Sequence, residues 1–251
     1  MTDTVIPAGA MPRAESRYFY FRMSLAFLAV ALIGFAPTYW APLAAGTAHF
    51  DPVMHIHGLI FFSWSLYYVF QTWVAASGQI ARHRMTGLIG VSLATAMLIF
   101  GMVAAIHSMR GAAAAGHAPL GESFAIVPLT NITFFAVLMV LALINVRRPE
   151  WHKRLMLMAA IFILGPATAR WFLTFLPVPE PPSVVYTMGP ELLTYLLILA
   201  PLRHDWRTRG RPHPVYVAGA AARLALIVLR VPFSGTHVWH GFAGWVARLA
   251  G

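Results

Sequence analysis

Seven apolar runs, each close to the length that crosses a bilayer, constrain this chain more than any other feature. They fall near residues 19–41, 53–76, 85–108, 123–146, 154–177, 188–202 and 214–232. A spanning helix takes about 20 apolar residues. Inside hydrocarbon every backbone polar group must be satisfied within the protein, so only helices and closed barrels cross. Runs this long predict helices. The sixth is short, and the seventh is interrupted by Arg223 and Arg230. Composition agrees: 59% of the 251 residues are hydrophobic and 10% are charged, where a soluble domain carries about 25% charged residues. The predicted fold is an all-α polytopic transmembrane bundle over 19–232, with seven spans. A polar segment, 1–18, precedes it. The first run exceeds the h-region of a signal peptide and predicts an uncleaved span. In the remaining segment, 233–251, Trp239, Phe242 and Trp245 recur every three residues, which predicts an interfacial amphipathic helix.

The distribution of basic residues predicts orientation. With the N-terminus inside, Arg13, Arg17, Arg22, Arg82, Arg84 and the Arg147–Arg154 and Arg203–Arg211 stretches place thirteen of the 18 Lys and Arg on the inner side. Arg110 and Arg248 lie outside; Arg170, Arg223 and Arg230 lie within spans. This is the positive-inside pattern, so the net charge of +10 reads as a topology signal and not as a nucleic-acid surface. It predicts a bacterial inner-membrane protein with its C-terminus outside. Seven histidines (His49, His55, His57, His107, His117, His237 and His240) fall on the outer side and four (His83, His152, His204 and His213) on the inner.

The chain has no cysteine, which excludes disulfides, thiolate metal sites and cysteine nucleophiles. Nucleotide-binding loops and the common hydrolase and zinc-peptidase motifs are absent. Lys153 is the only lysine and sits at a membrane boundary, which excludes a Schiff base in the seventh span.

Polar groups inside spans are costly and tend to mark function. His57, Phe61, Trp64, Tyr68 and Gln71 follow steps of four and three and share a helix face. That stripe reads as the lining of a cleft or as an aromatic packing seam with polar ends. His55 and His57 flank one residue beside Asp51-Pro52. In a regular helix they diverge; in an irregular approach segment both could meet one divalent transition metal. Asn131, Arg170, Glu191 and Arg230 lie at a depth similar to His57, with Tyr195 following Glu191 on its face. Either Glu191 clamps helices through an arginine, or an anionic ligand balances surplus positive charge. Arg223, near mid-span, requires a buried partner or an incomplete seventh span. At the inner side His83 and His152 open the third and fifth spans at equal depth. They read as axial ligands of haem b or as ordinary basic boundary anchors.

The segment Arg148-Pro149-Glu150-Trp151-His152-Lys153-Arg154-Leu155-Met156 with Ala169-Arg170 resembles a motif of uncharacterised bacterial multi-pass membrane proteins. So do His83-Arg84 with Gly87, Thr208 to Pro214, and Ser234-Gly235-Thr236 through Gly244-Trp245. The likeness covers roughly 80–250 and implies a membrane bundle with no established activity. Members often carry Asp where this chain has Asn131 and Glu191; the Asn removes a charge and weakens a metal role there. A second likeness is to haem-bearing membrane cytochromes of the b561 type. His83 with His152 would match one of their histidine pairs. The other would need a fourth-span histidine opposite His57, where Asn131 stands nearest.

Together these features predict an integral membrane protein with an outer-half site built from His55, His57, Asn131, Arg170 and Glu191, lined by Trp64, Tyr68, Gln71, Tyr195 and Arg230. In that site Glu191 would orient Arg170 or accept a proton. The expected partners are the bilayer and a small, quinone-like or anionic ligand. The expected role is haem- or quinone-linked redox, with a small-solute or proton-coupled transporter and an assembly scaffold as alternatives.

Overall fold

The apolar runs fold as helices. The structure, a computed structural model, describes residues 17–177 and 183–249, and within them there is no strand. Arg13, most of the polar 1–18 segment and the turn-forming sequence Glu180-Pro181-Pro182 lie outside the described residues. Helix α1 (Phe19–Gly34) continues through a wide turn at Ala36–Trp40 into α2 (Ala41–Ala44), with a bend of 43°. Then follow α3 (Pro52–Ala76), α4 (Ile80–Ala114) and α5 (Ala118–Ile144). The fifth span is broken into α6 (Pro149–Phe162) and α7 (Gly165–Phe175). The sixth combines a short turn at Val184–Thr187 with α8 (Met188–Leu196) and α9 (Leu199–Arg209). Helix α10 (Pro214–Ser234) is the seventh, and α11 (His237–Arg248) follows it. Six of these units are long and apolar enough to cross a membrane, and the bent α1–α2 pair makes a seventh. The chain is an all-α, multi-pass membrane bundle.

Capping residues fix where the spans start. Asp51 accepts from the Val53 amide at 2.9 Å ahead of Pro52. His213 accepts through Nδ1 from the Val215 amide at 3.3 Å ahead of Pro214. In both cases proline occupies the first helical position, where no amide hydrogen is needed. Gly210 ends α9 with φ +72°, a left-handed conformation that costs glycine nothing.

The fifth span is the axis of the bundle. Leu157, Met158, Ala159 and Ala160 have no exposed surface, and α1, α5, α8 and α10 pack around α6. Elsewhere apolar side chains point outward: Leu59, Leu66, Met85, Leu88 and Ile144 each expose more than half their surface. Lipid solvates these faces. Helix α11 lies against the bundle through Trp239, Ala243 and Val246, with Phe242 and Trp245 outward. Trp239 is thus a packing residue and not an outward anchor.

Seven crossings bring the basic loops around 77–79, 145–148 and 210–213 to one end, called here the basic end. At that end Arg154 donates through Nε to Asp205 Oδ2 at 2.9 Å and also pairs with Glu150. The His213 amide donates to the same Asp205 oxygen at 3.0 Å. Arg154 and Asp205 are both buried. The pair ties α6 to α9 and to the start of α10.

Candidate functional site

The break in the fifth span builds the far-end site. Pro166 has no amide hydrogen, so the carbonyl of Phe162, four residues earlier, loses its helical donor. Arg223 on α10 replaces it: Nη1 donates to Phe162 O at 3.3 Å, and the guanidinium lies 5.0 Å from the centre of the Phe162 ring. Gly165, at the same break, leaves space. A Cβ there would stand 2.3 Å from Glu191 Oε1, so the carboxylate rests against a bare α-carbon.

Glu191 is the hub of a buried polar ring. Its Oε2 accepts from Arg223 Nη2 at 2.7 Å, and Oε1 accepts from Asn131 Nδ2 at 3.0 Å. Arg230 Nη1 lies 3.2 Å from Oε1. Asn131 closes the ring, its Oδ1 accepting from Arg230 Nη2. Thr194 accepts from Arg223 Nη2 and donates to the Glu191 carbonyl at 2.8 Å. None of these five side-chain-bearing residues is more than 4% exposed. Two guanidiniums against one carboxylate leave a positive charge over. Nε of both arginines and Nη1 of Arg230 have no hydrogen-bond partner among the described residues. A buried ion pair gains little over an apolar pair, but removing one partner strands a charge and costs ~3–5 kcal/mol.

Asn131 also lines a cavity of about 410 Å³ between α1, α3, α4, α5 and the α6–α7 break. Its walls are largely apolar, with Phe27, Phe35, Phe61, Phe62, Ile132 and Leu164. The polar groups are few: Thr38, Tyr39, His57, Ser65, Ser108, Asn131 and Arg170. His57 Nδ1 lies 3.4 Å from Phe100 O. The Arg170 guanidinium stands 5.3 Å from the centre of the Phe35 ring, and among the described residues no carboxylate pairs with it. An apolar chamber with a few convergent polar groups is the usual form of a small-ligand site.

The structure therefore brings His57, Asn131 and Arg170 to one cavity. Glu191 adjoins it through Asn131, but Glu191 pairs with Arg223 and Arg230 and does not orient Arg170. His55 is elsewhere. Helix α3 is regular from Pro52 onward, so His55 and His57 diverge, and His55 meets the Tyr39 hydroxyl at 2.9 Å. Asp51 is committed to its cap and lies 3.7 Å from His107. Among the described residues no three His, Asp or Glu side chains converge as a metal site requires, so the expected two-histidine, one-carboxylate site does not form. Trp64, Tyr68 and Gln71 do not line the cavity. Trp64 stacks on Tyr68 and meets Phe27 and Phe135 edge-on, and Gln71 donates to Tyr67 and Thr86. The stripe divides: Trp64, Tyr68 and Gln71 form a packing seam, while His57 and Phe61 line the cavity together with Met54 and Ser65. Tyr195 packs on the core. Arg230 faces a separate groove. Arg223 and Thr194 were not expected in the site. Arg223 carries the clearest sequence signal, because a mid-span arginine requires a buried acceptor.

At the basic end the His83 and His152 rings lie 6.3 Å apart, 74° to one another. His152 Nδ1 lies 2.9 Å from Ala142 O, and His83 Nδ1 is buried without a hydrogen-bond partner among the described residues.

Compared with protein-family models, curated proteins and solved structures, the chain matches none of them.

Proposed function

We propose that this membrane protein binds a small amphiphile bearing an anionic or carbonyl oxygen head, such as a carboxylate or a quinone, in the cavity between α1, α3, α4 and α5. The carrying observation is Arg170, a cation with no carboxylate partner among the described residues, facing an apolar chamber beside His57. In this reading Arg170 binds the oxygen head, His57 flanks it with Nδ1 turned to the Phe100 carbonyl, and the phenyl walls take the apolar body. In this reading the basic end faces the cytoplasm, as the positive-inside pattern expects, and the cavity lies in the outer half of a bacterial inner membrane.

The test is direct binding. Decanoate and a decyl-substituted benzoquinone are titrated into detergent-solubilised protein, with tryptophan quenching as readout. Saturable binding that weakens at least tenfold in Arg170→Gln supports the reading. Equal affinity in wild type, Arg170→Gln and His57→Ala overturns it.

A second reading rests on His83 and His152. Their ring centres lie 6.3 Å apart, near enough for both to serve one bound group. With Nδ1 of His152 turned to a carbonyl, its Nε2 is left as the ligating atom. In this reading His83 and His152 would hold a haem iron, a group that supplies one-electron transfer when bound. A reduced-minus-oxidised absorption band lost in His152→Ala supports this reading; a colourless preparation overturns it.

A further inference from the structure

We propose that Ser123, His240 and Glu122 form a nucleophile–base–orienter triad that cleaves acyl esters of membrane amphiphiles. His240 lies in the first turn of α11. Its Nδ1 stands 2.8 Å from Glu122 Oε2 and its Nε2 stands 3.4 Å from Ser123 Oγ. Neutral imidazole carries one proton. The carboxylate on Nδ1 holds that proton there, which leaves the Nε2 lone pair facing the hydroxyl. This is the arrangement that acyl transfer needs, recognised by geometry and role and not by chain order.

The surroundings hold the three groups in place. Trp239 Nε1 donates to the Glu122 carbonyl at 2.7 Å, locking α11 to α5. Gly244 allows the close approach, since a Cβ there would stand 3.2 Å from Glu122 Oε1. The Ser123 hydroxyl is within 3.2 Å of the Ser234 carbonyl, an acceptor it leaves when it turns to His240. Glu122 and His240 are each about a quarter exposed (26%), so the triad is reachable from the surface.

A groove of about 430 Å³ lies between α5 and α10, lined by Ile126, Leu229, Phe233 and Thr236 among others. Ile126 sits one turn below Ser123 on the same face of α5. Phe233 and Thr236 flank Ser234. The groove therefore begins about one helical turn from Ser123, which suits an acyl chain lying in it with its ester carbonyl at Ser123. Thr236 Oγ1 takes the Trp239 amide at 3.2 Å; the earlier amides of His237 and Val238 carry the positive end of α11, the kind of donor that steadies a developing oxyanion.

The chemistry balances with water alone. As Ser123 Oγ bonds to the acyl carbon, its proton passes to His240 Nε2. The carbon–oxygen bond to the alcohol then breaks, and the alcohol departs with that proton. Water attacks the acyl-serine, His240 takes the water proton and returns it to Oγ, and the free acid leaves.

The experiment uses the full chain in detergent micelles with a fluorophosphonate probe and p-nitrophenyl laurate. The expected results are a covalent adduct on the Ser123 peptide and ester hydrolysis that falls about 10³-fold or more in Ser123→Ala and His240→Ala. No adduct in folded wild type, with hydrolysis equal to that of Ser123→Ala, overturns the proposal. A second measurement separates catalysis from helix clamping. The chain has no cysteine, so Ser123→Cys carries a single thiol. Its iodoacetamide alkylation at pH 7 should slow at least tenfold when His240→Ala is added; an unchanged rate excludes His240 as the base and overturns the triad.

Discussion

Arg223 supplies the hydrogen bond that Pro166 withholds. The proline leaves the Phe162 carbonyl without its helical donor, and the arginine of α10 reaches it at 3.3 Å while its other nitrogen holds Glu191. A break in one helix and a charge in the middle of another are thus two halves of one device.

Replacing Gly165 with alanine should test that device. The added Cβ would meet Glu191 Oε1 at 2.3 Å, and overpacking of this kind costs ~1–3 kcal/mol. The thermal midpoint in detergent should fall, and Glu191→Ala in the same chain should relieve the clash, making the double variant less unstable than the sum of the singles.

Glu191→Gln should be severe. It leaves Arg223 and Arg230 buried together without a counter-charge, and the loss should be about 3–5 kcal/mol. A double-mutant cycle with Arg223→Gln should return a favourable coupling above ~1 kcal/mol. Additive losses would show that the ion pair does not hold α8 to α10.

His213, between the sixth and seventh spans, predicts a pH dependence. Burial, with Arg154 and Arg209 nearby, pushes its imidazole below the ordinary 6.5. The folded protein therefore binds this proton less readily than the unfolded chain, so the neutral form contributes its full stability above 6.5. That contribution is lost as pH falls from 6.5 toward the lowered folded value. Protonation also removes the acceptor for the Val215 amide. The midpoint should drop between pH 7.5 and 5.5, and His213→Asn, which keeps a cap acceptor, should flatten the slope.

Orientation is open to a cysteine test in a chain that has none of its own. In inside-out vesicles Ser77→Cys should react with an impermeant maleimide and Ala115→Cys should not; the reverse pattern would invert the positive-inside assignment.

The bundle was legible because hydrophobic run length is a property of the chain alone. The broken fifth span was foreshadowed by Pro166, and the polar residues of the far half were visible as exceptions within apolar runs. Their partners were not. Glu191 had two arginines at similar depth and a third, Arg223, near mid-span, and only packing decides that it takes Arg223 and Arg230 while Arg170 faces the cavity. The His57–Gln71 stripe shares one helix face as its spacing requires, yet packing divided it: His57 and Phe61 line the cavity, while Trp64 and Tyr68 turn to Phe27 and Phe135. The His55-x-His57 reading failed because Asp51 and Pro52 start a regular helix at once. Asp205 was overlooked because it is a lone acid in a basic stretch, where Arg154 could be matched to it only in three dimensions.

The groove between α5 and α10 lies open along its flank, with Leu229 61% and Phe233 45% exposed. A guest that enters there arrives by lateral diffusion within one leaflet and never has to dissolve in water. Its occupancy would follow the mole fraction of that amphiphile in the surrounding lipid, so assays at fixed bulk concentration but different detergent-to-lipid ratios would report different apparent affinities for the same protein.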